Sequence, residues 1–227
     1  MTIKSSGRLV VNFHGLGDPP VDIPGEEQPY WCSRAAFLRI LDRIPEVEQK
    51  SLTRIELTFD DGNMSDYTIA MPALVERGLR GAFFVCAGRI GLPGYLDGSA
   101  MSRMLSAGME IGSHGWSHTN WRLADDATLT HEIDDARKRI ATEIGRSVDS
   151  VGIPFGSYDR RVLAKLRTWT TIYTSDGYRA GRHGRIVPRL SYVNNWDEAT
   201  LLRAASEPYN LTRRLRHWFT HLVKRVR

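Results

Sequence analysis

Arg54-Ile55-Glu56-Leu57-Thr58-Phe59-Asp60-Asp61-Gly62 decides how the rest of the chain is read. Residues 54–59 carry Ile, Leu, Thr and Phe in a run suited to a strand, and the acid pair with its glycine ends it. Successive residues of a strand point to opposite faces, so two adjacent carboxylates cannot share one site in mid-strand. At a strand end followed by Gly62 the chain can turn and present both. Two close carboxylates also divide into roles, one to ligate a cation and one to act as a base. The same tripeptide also reads as an ordinary solvated turn, so the choice depends on what surrounds it.

Working outward, short apolar runs alternate with helix-like stretches. Strands are expected at 8–13, 82–86, 109–112, 150–153, 170–174 and within 186–193 besides 54–59. Helices are expected at 33–43, 70–77, 99–107, 127–144, 160–168 and 198–205, with Ser33 starting the first and Gly78 and Gly108 stopping two others. This alternation predicts an α/β fold with a parallel sheet closed, or nearly closed, into a barrel of about seven strands. Reactive groups in such folds gather at the C-terminal ends of strands. Asp60-Asp61, His114 and Pro154-Phe155-Gly156 each follow an expected strand. The length of 227 residues suits one domain, set at 1–207, with 208–227 as an appendage. Cys32 and Cys86 lack metal-type spacing, and Cys86 closes an apolar run, so a buried thiol is expected there.

The second cluster is Glu110-Ile111-Gly112-Ser113-His114-Gly115-Trp116-Ser117-His118. Two imidazoles four residues apart face one point if the chain makes a single turn. Two His and one carboxylate form a zinc-type ligand set that leaves a position open for water. Seen alone, the pair also reads as two unrelated loop or core histidines. Two of the seven histidines fall here, directly after a strand, and the acid pair elsewhere favours a metal site.

Thr58-Phe59-Asp60-Asp61-Gly62, His114-Gly115-Trp116-Ser117-His118 and Ile153-Pro154-Phe155-Gly156-Ser157-Tyr158 together resemble the three motifs of the NodB-homology polysaccharide deacetylases, carbohydrate esterase family 4. The resemblance spans roughly residues 8–195. It implies a distorted (β/α) barrel and a divalent metal, usually zinc, held by Asp61, His114 and His118. It also implies Asp60 as the base that deprotonates water, and the backbone N–H of Phe155 as an oxyanion donor. Three departures stand out. Gly115 replaces the hydroxyl residue of the second motif. Gly152 stands where many members carry an arginine that orients the base, so Arg189 is the candidate to fill that space from another strand. The Leu-x-x-His motif has no counterpart, whereas Val11-Asn12-Phe13-His14-Gly15 resembles an N-terminal Tyr-His motif of some relatives and makes His14 the candidate general acid.

The net charge of +5 sits almost wholly in the tail. Residues 208–227 hold six basic side chains and no acid, leaving 1–207 near neutrality. Such a balance argues against a nucleic-acid-coating protein and for a local basic patch. Leu211, Leu215, Trp218, Phe219, Leu222, Val223 and Val226 recur every three or four residues, as in an amphipathic helix. That helix packs on the barrel or lies on an anionic membrane surface. The N-terminus carries no apolar signal segment, so the expected location is cytoplasmic, at or near the inner face of the membrane. The expected activity is removal of an N-acetyl group from a sugar of a glycan, oligosaccharide or lipid-linked intermediate. N-deformylation and O-deacetylation stay open at this stage. So do an inactive sugar-binding or membrane-adapter domain and a non-heme iron oxygenase, whose ligands are also two His and a carboxylate.

Overall fold

The computed structural model describes residues 7–21, 23–177, 184–197 and 199–206. Its strands are β1 (Gly7–Phe13), β2 (Thr53–Phe59), β3 (Gly81–Val85), β4 (Glu110–Ser113), β5 (Ser150–Gly152), β6 (Thr171–Thr174), β7 (Ile186–Pro188) and β8 (Leu190–Ser191). Each pairs in parallel with its neighbour in the order β7-β6-β5-β4-β3-β2-β1-β8. The two edge strands are halves of one run, interrupted only at Arg189. The first half pairs with β6, placing Val187 opposite Tyr173, and the second pairs with β1, placing Leu190 opposite Val11. One length of chain thus joins both edges of the sheet and closes it as a barrel. Counted as a single strand it gives the seven expected; by hydrogen bonding there are eight.

The period of two along each strand sorts side chains between the inside of the barrel and the helical layer. Val10, Ala82, Phe84, Tyr173 and Val187 form a small inner cluster. Leu9, Val11, Phe13, Leu57, Phe59, Phe83 and Val85 belong to the larger core beneath the helices. The inside is narrow: a Cβ on Gly112 would lie 2.5 Å from the Phe84 ring, so only glycine fits opposite that phenylalanine. Full burial of each large apolar side chain contributes roughly 1.5–3 kcal/mol.

The helices are α1 (Arg34–Ser51), α2 (Met71–Glu76), α3 (Gly98–Ser106), α4 (Asp126–Thr130), α5 (Ala136–Ile144), α6 (Arg160–Lys165) and α7 (Thr200–Ser206). Ser33, Asp97, Asp125 and Asp159 cap four of them, each side chain accepting the backbone N–H three residues on. Each cap contributes about 1 kcal/mol. Two boundaries differ from expectation. α1 does not stop at Arg43 but runs eight residues further, through Pro45. The buried series Phe37, Leu41, Ile44, Val47 continues across the proline, and that burial outweighs the hydrogen bond it lacks. The expected helix at 127–144 is interrupted by a wide π turn at His131–Asp135 between α4 and α5, and a similar turn at Asp66–Ala70 precedes α2. The helix expected from 198 begins at Thr200; residue 198 itself, and the amphipathic segment 208–227, lie outside the described residues. Among the described residues no helix is long and apolar enough to cross a membrane.

Candidate active site

β2 delivers Asp60 and Asp61 at its C-terminal end. Asp61 takes φ 78° and Gly62 φ 71°, so the chain reverses its pleat and both acids reach the same mouth of the barrel. Asp60 is 2% exposed. Arg189, at the break between β7 and β8, is fully buried and grips it from both sides, Nη1 donating to Oδ1 at 2.7 Å and Nη2 to Oδ2 at 2.8 Å. Asn12, from β1, adds its Nδ2 to Asp60 Oδ2 at 2.9 Å. The Oδ1 of Asn12 accepts from Arg189 Nη1 and from Thr58 Oγ1, both at 2.8 Å. Burial alone would raise the Asp60 carboxyl, but the charges of Arg189, His114 and His14 outweigh it and hold the group far below the usual carboxylate range. A Cβ on Gly152 would lie 3.3 Å from Asp60 Oδ1. A side chain from that position would therefore point at the same carboxylate. Here the position is empty of side chain and the guanidinium arrives from the barrel seam.

β4 delivers His114, whose ring is buried and whose Nδ1 lies 2.8 Å from the Gly152 carbonyl. A carbonyl only accepts, so Nδ1 donates a proton to it, which turns Nε2 towards the acids. Gly115, at φ 82°, and His118, at φ 60°, bend the following turn so that the second ring comes back to within 5.0 Å of the first. Burial, then the neighbouring His114, push His118 down to about 4, so it is uncharged at neutral pH. Asp61, His114 and His118 each offer one ligand atom, all within 4.8 Å of one another. Asp61 Oδ1 lies 3.5 Å from His118 Nε2 and 3.9 Å from His114 Nε2. Tetrahedral ligands at the usual zinc distances stand about 3.4 Å apart. Two imidazoles and one carboxylate at these separations fit a divalent ion after small adjustments. Arg89 Nη1, 3.5 Å from Asp61 Oδ1, balances part of the charge from outside.

The remaining expected residues lie around this centre. His14 directly follows β1, half-buried, its ring 5.1 Å from Tyr30 and close enough for its charge to act on Asp60. Phe155 follows β5 with φ 57°; its side chain is 63% exposed and rests 4.5 Å from the His118 ring. Cys32 and Cys86 are free and buried.

The model of the polysaccharide deacetylase family matches residues 48–172, more than half of the chain. The chain belongs to that family. As a polysaccharide deacetylase family member it brings three groups to this centre from outside the matched stretch: Asn12 from β1, His14 just after it and Arg189 from the seam. It is 25% identical over 159 residues to the peptidoglycan-N-acetylglucosamine deacetylase PgdA of Listeria monocytogenes, covering 65% of this chain and 33% of the relative. It is 28% identical over 110 residues to a chitin deacetylase of Pestalotiopsis sp, covering 48% of this chain and 37% of that one. The chain thus spans about a third of the length of the curated relatives it matches. Among solved structures, Streptococcus pyogenes deacetylase PplD in complex with acetate superposes with a TM-score of 0.75 at 19% identity, over 89% of this chain and 99% of the other. IcaB from Ammonifex degensii gives 0.71 at 18% identity, over 89% and 98%. These likenesses show that the barrel is that of the deacetylases.

Several residues around the candidate centre were not singled out from the sequence. Asn12 is an amide inside an apolar strand, a pattern that demands a partner when buried. Glu132 and Asp66 are acids in the two π turns, buried at 1% and 0% exposure. Both oxygens of Asp66 lack hydrogen-bond partners among the described residues. Burial, then the charges of Asp61 and Asp60, push its carboxyl well above the usual range.

Proposed function

We propose that this chain is a metal-dependent hydrolase that removes the N-acetyl group from a sugar of a glycan, oligosaccharide or lipid-linked intermediate. The observation that carries the reading is the convergence of Asp61, His114 and His118 beside an Asp60 gripped bidentately by Arg189. Family membership and the names of its relatives support the substrate class.

Asp61 Oδ1 and the Nε2 atoms of His114 and His118 would hold the ion, zinc suiting this donor set. When bound, the ion would supply Lewis acidity, which polarises the amide carbonyl and lowers the pKa of water, with Asp60 beside it as the proton acceptor. Arg189 and Asn12 keep Asp60 ionised and fix both its oxygens, so the acceptor is in place before the substrate arrives. The backbone N–H of Phe155 donates to the oxyanion that forms at the attacked carbon. His14 gives a proton to the nitrogen as the C–N bond breaks, which an amine requires in order to leave. The exposed Phe155 ring, and Tyr30 beside His14, offer apolar faces to a pyranose. The basic, apolar-striped segment 208–227 supports a location at the cytoplasmic face of an anionic membrane.

The test is release of acetate, measured beside formate, from N-acylated sugars, free and lipid-linked, by chain stripped of metal and reloaded with zinc. Asp60→Asn should lower turnover at least ~10²–10⁴-fold with zinc still bound. Full turnover by that variant would remove the base assignment; no acyl release from any such sugar would remove the reading.

A further inference from the structure

We infer that Glu132 is the positioning residue for His118, holding the turn between the two histidines in the shape that makes a metal site. The inference rests on the reading of Asp61, His114 and His118 as ligands. His114 is anchored by β4 and by the Gly152 carbonyl, but His118 lies beyond any strand and must be placed by its turn. The peptide groups of that turn are held from two sides. The carbonyls of Gly115 and Trp116 accept from Ala87 N at 2.8 Å and Gly88 N at 2.9 Å, the segment that follows β3. The N–H groups of Trp116 and Ser117 donate to a single carboxylate: Trp116 N to Glu132 Oε2 at 2.9 Å and Ser117 N to Oε1 at 3.0 Å. Trp121 Nε1 adds a third donor to Oε2 at 3.3 Å. Glu132 thereby does for this turn what a neighbouring strand does for a strand.

Two further observations tie the side chain to this role. Glu132 sits in the π turn His131–Asp135 and is 1% exposed, so its carboxylate has no access to water and must be satisfied by the turn it faces. A Cβ on Gly115 would come within 2.6 Å of Glu132 Oε2. The glycine in the second motif, with its φ of 82°, is thus the space in which the carboxylate stands. Among the described residues no ion pair reaches Glu132, and these three N–H donors satisfy its two buried oxygens. Groups that orient a ligand from behind typically govern metal affinity by 10–100-fold.

Glu132→Gln is the discriminating variant. Oε2 serves two donors and Oε1 one, so the amide keeps its oxygen at Oε2 and sets its NH2 against the Ser117 N–H, beside His118. The zinc dissociation constant, from chelator competition on the metal-stripped chain, should rise roughly 10–100-fold in this variant. Ile133→Ala, a truncation of the adjacent core residue, controls for stability: it should lower the melting temperature and leave zinc affinity within about twofold. If Glu132→Gln does not fold, Glu132→Asp, one methylene too short to reach both N–H groups, is read in the same way. Unchanged zinc affinity in the Glu132 variant, or an equal loss in Ile133→Ala, overturns the inference alone. Failure of the unaltered chain to bind zinc overturns the ligand reading beneath it.

Discussion

Replacing Arg189 by methionine should be the most damaging single change away from the metal ligands themselves. The guanidinium is fully buried and donates to Asp60 Oδ1 and Oδ2, Asn12 Oδ1, the Thr174 carbonyl at 3.3 Å and Thr58 Oγ1 at 3.4 Å. Methionine fills much of the volume but leaves a carboxylate at 2% exposure with its main counter-charge gone. Breaking a buried pair from one side costs about 3–5 kcal/mol. For a chain of this size each kcal/mol moves the melting point by ~2–4 °C, so the loss should be roughly 6–20 °C. Asp60→Asn in the same background removes the stranded charge, so the double variant should recover at least ~1–2 kcal/mol of that cost. Denaturant unfolding of the metal-stripped protein, followed by tryptophan fluorescence, measures all four corners of the cycle. The pH dependence has a definite sign. With Arg189 present the folded Asp60 lies below its unfolded value, and its stabilisation exists above the unfolded value near 4 and fades as pH falls. Without Arg189, burial dominates and the folded carboxyl rises above that value, so the variant is penalised most at neutral pH and least in acid. Arg189→Lys, which keeps the charge but not the fork, should fall between. A methionine variant within 1 kcal/mol of the parent at pH 7, or a cost indifferent to Asp60→Asn, would refute the reasoning.

Three other outcomes are expected. Asp66→Asn should stabilise the metal-stripped protein at pH 8 more than at pH 4. A buried carboxyl raised above its unfolded value loses stability as pH rises from that value towards the folded one, at about 1.4 kcal/mol for each pH unit crossed. A parallel pair of stability–pH curves for parent and variant would contradict this. Phe155→Gly keeps the backbone N–H and relieves a left-handed residue, at φ 57°, of about 1 kcal/mol. Turnover should stay within about tenfold if the backbone is the oxyanion donor, and a far larger loss would assign the work to the ring. Deleting 208–227 should abolish sedimentation with anionic liposomes while acetate release from soluble substrates persists; unchanged sedimentation would place the membrane contact elsewhere.

The fold was legible where local pattern and burial agree. β2 alternates at its start and is wholly buried at its end, and the reactive groups fall just past the strands, as parallel barrels require. The convergence of Asp61, His114 and His118 was legible because they come from two short segments with tight spacing. Arg189 could be named as a candidate only because Gly152 left a gap. Its partner lies 129 positions earlier in the chain, and one continuous run of residues gives no hint that its halves pair with opposite edges of the sheet. The helix expected to end at Arg43 runs on through Pro45 because tertiary burial of Ile44 and Val47 carries it. Glu132 was not legible because a glutamate within a helix-like stretch ordinarily reads as solvated, and the backbone N–H groups of Trp116 and Ser117 that it accepts from lie 16 and 15 positions earlier.

The split last strand also has a temporal meaning during synthesis. A nascent chain that has reached Pro188 already contains both acids and both imidazoles, yet it lacks the guanidinium that grips Asp60 and the residues that seal the cylinder. The next codon supplies the missing cation, and the two residues after it, Leu190 and Ser191, pair with β1. Closure of the barrel and the grip on Asp60 therefore depend on one short segment, residues 186–191, and a change that unseats it would undo both together.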